Sequence, residues 1–158
     1  MSLSKNINSY ATVEEADAYF SDRLDVAAWD AADAPMKAKA LVTASLLLND
    51  KQWIGLASNE SQTLAFPRQG VYLEPITGYK VSMDPVPRRI IEASLELAYH
   101  LLNNDGLQDS TGNVKSISID SIRIDNITAP PVTPLVVYRK IEPLLNPKTS
   151  GNSWWRRN

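Results

Sequence analysis

The residue types that carry most enzymatic chemistry are nearly missing from this chain. It has a single histidine, His100, and no cysteine, so no thiolate nucleophile, zinc cluster or histidine pair can be assembled. His100 lies between Tyr99 and Leu101 in an apolar run, the setting of a boundary histidine rather than a general base. Aspartates and glutamates fall at helix caps and on polar faces, and no HExxH, DxDxDG, GxxxxGKS or GxSxG pattern occurs. The expectation is a protein that is not an enzyme and holds no cofactor or metal.

What the sequence does carry is contact chemistry. Trp154, Trp155, Arg156 and Arg157 follow a Ser/Gly/Asn segment that no periodicity assigns to a core. Left in water, two adjacent indoles are an aggregation liability, so something should cover them. Three covers suit them: a protein partner, since Trp and Arg dominate interface energies at ~2 kcal/mol or more each; the chain's own domain; or single-stranded nucleic acid stacked on indole and guanidinium.

The elements that must position these residues are mostly helical. Pro87 to Asn104, PRRIIEASLELAYHLLNN, is apolar over more than half of a helix circumference, and such a helix must be surrounded by its own chain. Pro87 suits a helix start and Asn104-Asp105-Gly106 a stop. Thr12-Val13-Glu14-Glu15 is a capping box opening a first helix with Val13, Ala16, Tyr19, Phe20 and Leu24 on one face. Asp33-Ala34-Pro35 caps a second, running to about Asn49, with Met36, Ala40, Ala44, Leu47 and Leu48 as its stripe and Leu41 widening it. A last helix begins at Thr133-Pro134 with Leu135, Tyr138 and Ile141 at helical spacing, and Pro143 breaks or kinks its end.

Between Lys51 and Pro87 the helical period disappears, and seven Gly and Pro residues punctuate a long connection. A loop of that length needs anchors, and Trp53, Leu64, Phe66, Val71, Tyr72 and Ile76 are the candidates for pinning it as an ordered strap. A short helical turn is expected around Ser61 to Ala65. Beyond the polar linker 105–113, NVKSISIDSIRIDNI has the period of a strand, with Ile117 and Ile119 on one face and Ile122 and Ile124 together on a face. The phase shifts across Asp120-Ser121, which is either a hairpin turn or a bulge. A two-stranded ribbon is marginal alone, so it should lie on its own helices or on a neighbouring copy.

At 158 residues, 44% of them hydrophobic, the chain can bury one core. The expected architecture is therefore mainly α: a small bundle of about four helices around the 87–104 helix, a β ribbon at 114–127, and an extended C-terminal arm. Residues 1–146 form the domain and 147–158 the arm. A net charge of −2 argues against a surface that coats nucleic acid by bulk electrostatics. No apolar run approaches the ~20 residues of a membrane span and MSLSKNINSY lacks a signal-peptide core, so the expectation is a soluble protein made in a cytoplasm.

Several segments in order, YATVEEADAYFSDR, then Trp53-Ile54-Gly55, then Gln62 to Val71, then VPRRIIEASLELA, resemble the small helical head–tail adaptor (head-completion, or connector) proteins of tailed bacteriophages. Some of these relatives carry the label DnaT-like single-stranded DNA-binding protein. Gln62, Leu64, Phe66, Pro67 and Arg68 match the family's Q-x-L-x-W-P-R signature, with Phe66 in place of the usual tryptophan. The resemblance spans about Tyr10 to Leu145. It implies a homo-oligomeric, dodecameric ring in the virion neck, assembled in the host cytoplasm. Such a ring is bound to the portal protein, joins a tail or nozzle protein, and lines a channel for double-stranded DNA without sequence-specific binding. On that reading Ile117, Ile119, Ile122 and Ile124 lie at a subunit interface, and Trp154 to Arg157 suit portal binding. The alternative is a single-stranded DNA-binding protein.

Overall fold

The computed structural model describes residues 2–103, 113–119, 122–128 and 133–147, the segments 113–119 and 122–128 through their backbone. The elements run α1 (Val13–Ser21), α2 (Ala27–Asp30), α3 (Ala34–Asn49), β1 (Leu56–Ala57), β2 (Arg68–Gln69), β3 (Val71–Leu73), β4 (Lys80–Ser82), α4 (Arg88–Leu102), β5 (Asn113–Ile119), β6 (Ile122–Thr128) and α5 (Leu135–Ile141). A 3₁₀ turn over Glu142–Leu144 continues α5, its helical hydrogen bonding altered where Pro143 intervenes.

Helix α4 is the central element. It packs against α3 on one side and α5 on another, with α2 also touching it. Ile90, Ala93, Leu95, Leu97, Ala98 and Leu101 are all buried, each large aliphatic side chain contributing ~1.5–3 kcal/mol on transfer from water. Pro87 is the N-cap rather than the first helical residue. The capping box is formed as its spacing predicts: the Glu15 N–H donates to Thr12 Oγ1 at 3.2 Å and the Thr12 N–H to Glu15 Oε2 at 2.9 Å. Asp33 caps α3 by accepting from the Met36 N–H at 2.8 Å.

Three helical stripes differ from the expected ones. Helix α1 stops at Ser21, so Leu24 lies beyond its last turn and is exposed. Its place in the core is taken by Trp29 of the short α2, whose ring sits 4.8 Å from Phe20 and whose Nε1–H donates to Asp17 Oδ1 at 2.8 Å. In α3 the buried row is Ala40, Leu41, Ala44, Ser45 and Leu48, leaving Met36 exposed at the start of the helix, at the rim of a shallow groove beside Leu101 and Leu102 of α4. In α5 the buried residues are Val137 and Ile141, continued by Leu144; the helix is rotated so that Leu135 and Tyr138 face outward.

The fold is thus helix-rich, but more mixed than a bundle with one ribbon. The described residues hold three two-stranded antiparallel sheets, β1–β2, β3–β4 and β5–β6, and the first two lie in the connection expected to be a plain strap. No helix forms over Ser61 to Ala65. In β5–β6 the register pairs Ile117 with Ile124 and Ile119 with Ile122. This decides for a hairpin over a bulge. The one-residue phase shift is what a two-residue connection produces, and it places all four isoleucine positions on one face of the ribbon.

Candidate functional site

The signature residues Gln62, Leu64, Phe66, Pro67 and Arg68 come together, and their geometry is that of a staple. Leu64 and Phe66 are buried, and Phe66 meets the Trp53 ring edge-on with centroids 5.0 Å apart. The Gln62 amide donates to Leu64 O at 2.7 Å and Pro67 O at 3.1 Å, while its oxygen accepts from the Asn59 N–H at 3.0 Å. Arg68 spreads its guanidinium over three carbonyls: Nε to Ile54 O at 2.8 Å, Nη1 to Ala65 O at 3.2 Å and Nη2 to Gly55 O at 2.6 Å. A planar fork of donors suits this task and a lysine ammonium does not.

Neighbouring groups complete the knot. The Tyr10 hydroxyl accepts from the Phe66 N–H at 3.2 Å, and burial pushes its pKa up to about 12. Asn49 Oδ1 accepts from the Ala65 N–H at 2.8 Å, tying the strap to the end of α3. Gly55 is required by its surroundings. Its φ is +71°, and a Cβ there would stand 2.2 Å from Gln69 O. On the other side the Ile54 N–H donates to Leu144 O at 3.0 Å and the Asn146 N–H to Gln52 O at 2.9 Å, so the strap also clamps the chain leaving α5. Both polar side chains of the signature, Gln62 and Arg68, are thereby engaged with their own chain.

The β3–β4 hairpin behaves in the opposite way. Its register is Val71↔Ser82, Tyr72↔Val81 and Leu73↔Lys80. Tyr72 is buried, but Val71 and Leu73 are 53% and 59% exposed, and at the tip Ile76 and Tyr79 reach 86% and 75%. Val71 and Ile76 are among the anchors expected from the sequence. The structure corrects this: strand alternation sends Tyr72 inward and its neighbours out, and Ile76 sits in the turn.

The exposed tip is nevertheless held in one shape. The Glu74 carboxylate accepts Nε of Arg89 at 2.7 Å and also pairs with Arg89 Nη2, a two-pronged contact. It takes the Tyr72 hydroxyl at 3.0 Å and the Ile76 N–H at 3.2 Å as well. Backbone bonds from the Glu74 N–H to Tyr79 O at 2.9 Å and from the Gly78 N–H to Glu74 O at 2.8 Å close the turn. The Arg89 guanidinium holds the Glu74 carboxyl down at about 2. A pairing fifteen residues apart in sequence leaves no periodic trace, which is why Glu74 and Arg89 were not legible as a unit.

The other cations are largely engaged. Lys5 pairs with Glu15, Arg23 with Glu96, Lys37 with Asp17, and both Arg88 and Lys140 with Glu92. Glu96 is buried at 3% exposure and also accepts the Tyr19 hydroxyl at 2.6 Å. Burial, followed by that carboxylate, raises the Tyr19 pKa. Burial opposes ionisation of Glu92, yet Lys140 and Arg88 hold its carboxyl below the ordinary range. Among the described residues Lys39, Lys80 and Arg139 make no ion pair. His100 is half-buried on α4, its ring 5.6 Å from Tyr99 and edge-on to it. No helix among the described residues is long and apolar enough to cross a membrane.

Side chains of Ile117, Ile119, Ile122 and Ile124 lie outside the described residues, as do Trp154, Trp155, Arg156 and Arg157. What the described part defines is a helix-rich domain whose long connection is half staple and half exposed hairpin. The chain belongs to the family described as "Putative DnaT-like ssDNA binding protein", whose model matches residues 2–157. That description names single-stranded DNA and mentions no portal, tail or capsid. No curated protein and no solved structure is significantly similar to the chain.

Proposed function

We propose that the protein is a non-enzymatic assembly module that works by contact with other subunits. Its setting is the head–tail adaptor ring that the sequence resemblance supplies: a homo-oligomer in the neck of a tailed bacteriophage, between portal and tail, around passing double-stranded DNA. The observation that carries this reading is the β3–β4 hairpin, which keeps Ile76 and Tyr79 in water on a turn fixed by Glu74 and Arg89. Ordering apolar side chains into solvent is costly unless another surface covers them. The isoleucine face of β5–β6 and the Trp154 to Arg157 arm are further contact elements on the same reading.

Single-stranded DNA binding is the second reading, and the family's description favours it. Two local features go with it: Tyr79 beside Lys80, and Tyr138 beside Arg139, each an exposed ring next to a cation without an ion pair among the described residues. Against it stand the net charge of −2 and the capture of most described cations by carboxylates.

One pair of measurements separates the two. Light scattering over a concentration series should show assembly beyond the monomer. Titration of a fluorescent oligo-dT at low salt should show no binding. A monomer that binds the oligonucleotide, with affinity falling steeply as salt is added, would replace the assembly reading by the second one.

A further inference from the structure

The hairpin tip has a complementary surface elsewhere on the same chain. Beside α5, where the strap meets the residues leaving that helix, lies an open cavity of about 630 Å³, in the ~300–1,000 Å³ range of sites that enclose a bound group. Tyr138, Ile141 and Leu145 give it apolar walls, and Asp50, Gln52 and Glu142 stand among its lining residues. Asp50 and Glu142 make no ion pair among the described residues, and Lys51, the one cation among the described lining residues, has its ammonium 2.9 Å from Thr133 Oγ1. The described lining therefore carries an acidic excess. The hairpin carries the matching set: two exposed apolar side chains, Ile76 and Tyr79, next to Lys80, a cation with no carboxylate partner among the described residues.

Resting on the assembly reading above, we propose that the β3–β4 tip of one copy seats in the α5 cavity of a second copy, Ile76 and Tyr79 against its apolar walls and Lys80 toward Asp50 and Glu142. The tip does not fill its own chain's cavity, since Ile76 is 86% exposed. A knob on one patch and a hole on another make a head-to-tail contact, which leaves a free knob and a free hole on every pair and so propagates, closing as a ring where the rotation between copies returns to the start. The Glu74–Arg89 pair keeps the knob in its docking shape before contact, which lowers the ordering cost of association.

The chain has no cysteine, so engineered ones report cleanly. Thr77→Cys at the tip and Asn146→Cys near the cavity mouth, made in separate full-length chains and mixed under mild oxidation, should yield a mixed disulfide-linked dimer that neither variant gives alone. Adding Ile76→Asp to the tip variant should abolish that product and weaken self-association at least tenfold in sedimentation. Unchanged circular dichroism and melting would show the variant is folded, as expected for so exposed a side chain. Lys80→Glu and Glu142→Lys should each weaken association, and the two together should restore it. Self-association that persists with Ile76→Asp, without a mixed disulfide, would overturn this contact while leaving the assembly reading in place. A chain monomeric at every concentration would overturn both.

Discussion

The connection between α3 and α4 contains two regions of similar length and opposite use. In the staple, residues 53–68, the aromatic and signature side chains turn inward, Trp53 against Phe66 and Gln62 and Arg68 onto backbone carbonyls, and of the large apolar groups only Leu56 is left exposed. In the hairpin, residues 71–82, only Tyr72 and the Glu74–Arg89 pair point to the body, and the large apolar groups point to water. The contrast shows that aromatic and aliphatic residues in a long loop do not share one explanation. Those whose backbone polar groups are met by side chains of the core stabilise the fold, and those on a self-closed turn are left for a partner.

If this division is right, truncation should hit the two regions unequally, and Trp53→Ala should produce the largest loss. It removes a buried ring from Phe66 and an Nε1–H bond to Leu48 O at 2.9 Å. A cost of about 3–5 kcal/mol is expected in chemical denaturation. A loss under 1 kcal/mol would show that the strap is not part of the cooperative core.

Next comes Arg68→Ala, for which about 2–3 kcal/mol is expected, since three carbonyls lose a charged donor at once. The sharper comparison is Arg68→Lys. One ammonium cannot span Ile54, Gly55 and Ala65, so lysine should recover less than half of the loss although the charge is kept. Full recovery would mean that charge, and not the fork, holds the knot.

Glu74→Gln probes the boundary between the regions and should cost about 1–2 kcal/mol, because one accepting oxygen becomes an amide NH₂ that cannot accept and the other loses its charge. Amide exchange at Ile76 and Gly78 should speed up while α4 stays protected. The pH dependence has a defined direction. The folded-state value of about 2 lies below the ordinary 4.5, so the pair contributes stability above pH ~4.5 and loses it as pH falls toward 2. Wild-type amide protection at the tip should therefore persist at pH 5 and fade only below that, whereas in Glu74→Gln it should be weak at both.

Much of the staple was legible in the sequence, and the reason is physical. Trp53, Leu64 and Phe66 are too large and too apolar to be left on a loop, and the capping box, the Asp33 cap and the long apolar face of α4 are local signals that tertiary context had no cause to override. Less legible was anything that depended on the phase of a short element. Leu24, Met36, Leu135 and Tyr138 carry helical spacing, but α1 ends before Leu24 and α5 is rotated onto Val137. The β3–β4 strands are three residues each, too short for alternation to be read, so Val71 and Ile76 looked like anchors. The β5–β6 ribbon is the instructive intermediate case. Its isoleucine phase shift was visible, yet only the pairing of Ile119 with Ile122 decides that the shift is a turn and joins all four positions on one face.

The smallest thermodynamic effect belongs to the hairpin tip, and it is the one that tests the division most directly. Ile76→Ser and Tyr79→Ser replace side chains that are almost fully solvated in the single chain. Little apolar area is returned to water on substitution, so each should shift unfolding free energy by no more than about 0.5 kcal/mol. The backbone turn should also survive, because its bonds run through Glu74, Gly78 and the Tyr79 carbonyl, none of which needs the substituted side chains. At dilute concentration both variants should melt with the wild type. At concentrations where the wild type associates, they should melt below it, since only the wild type gains the mass-action stabilisation of a covered tip. A loss of 2 kcal/mol or more in dilute solution would place these side chains in the core of the single chain and erase the distinction between staple and hairpin.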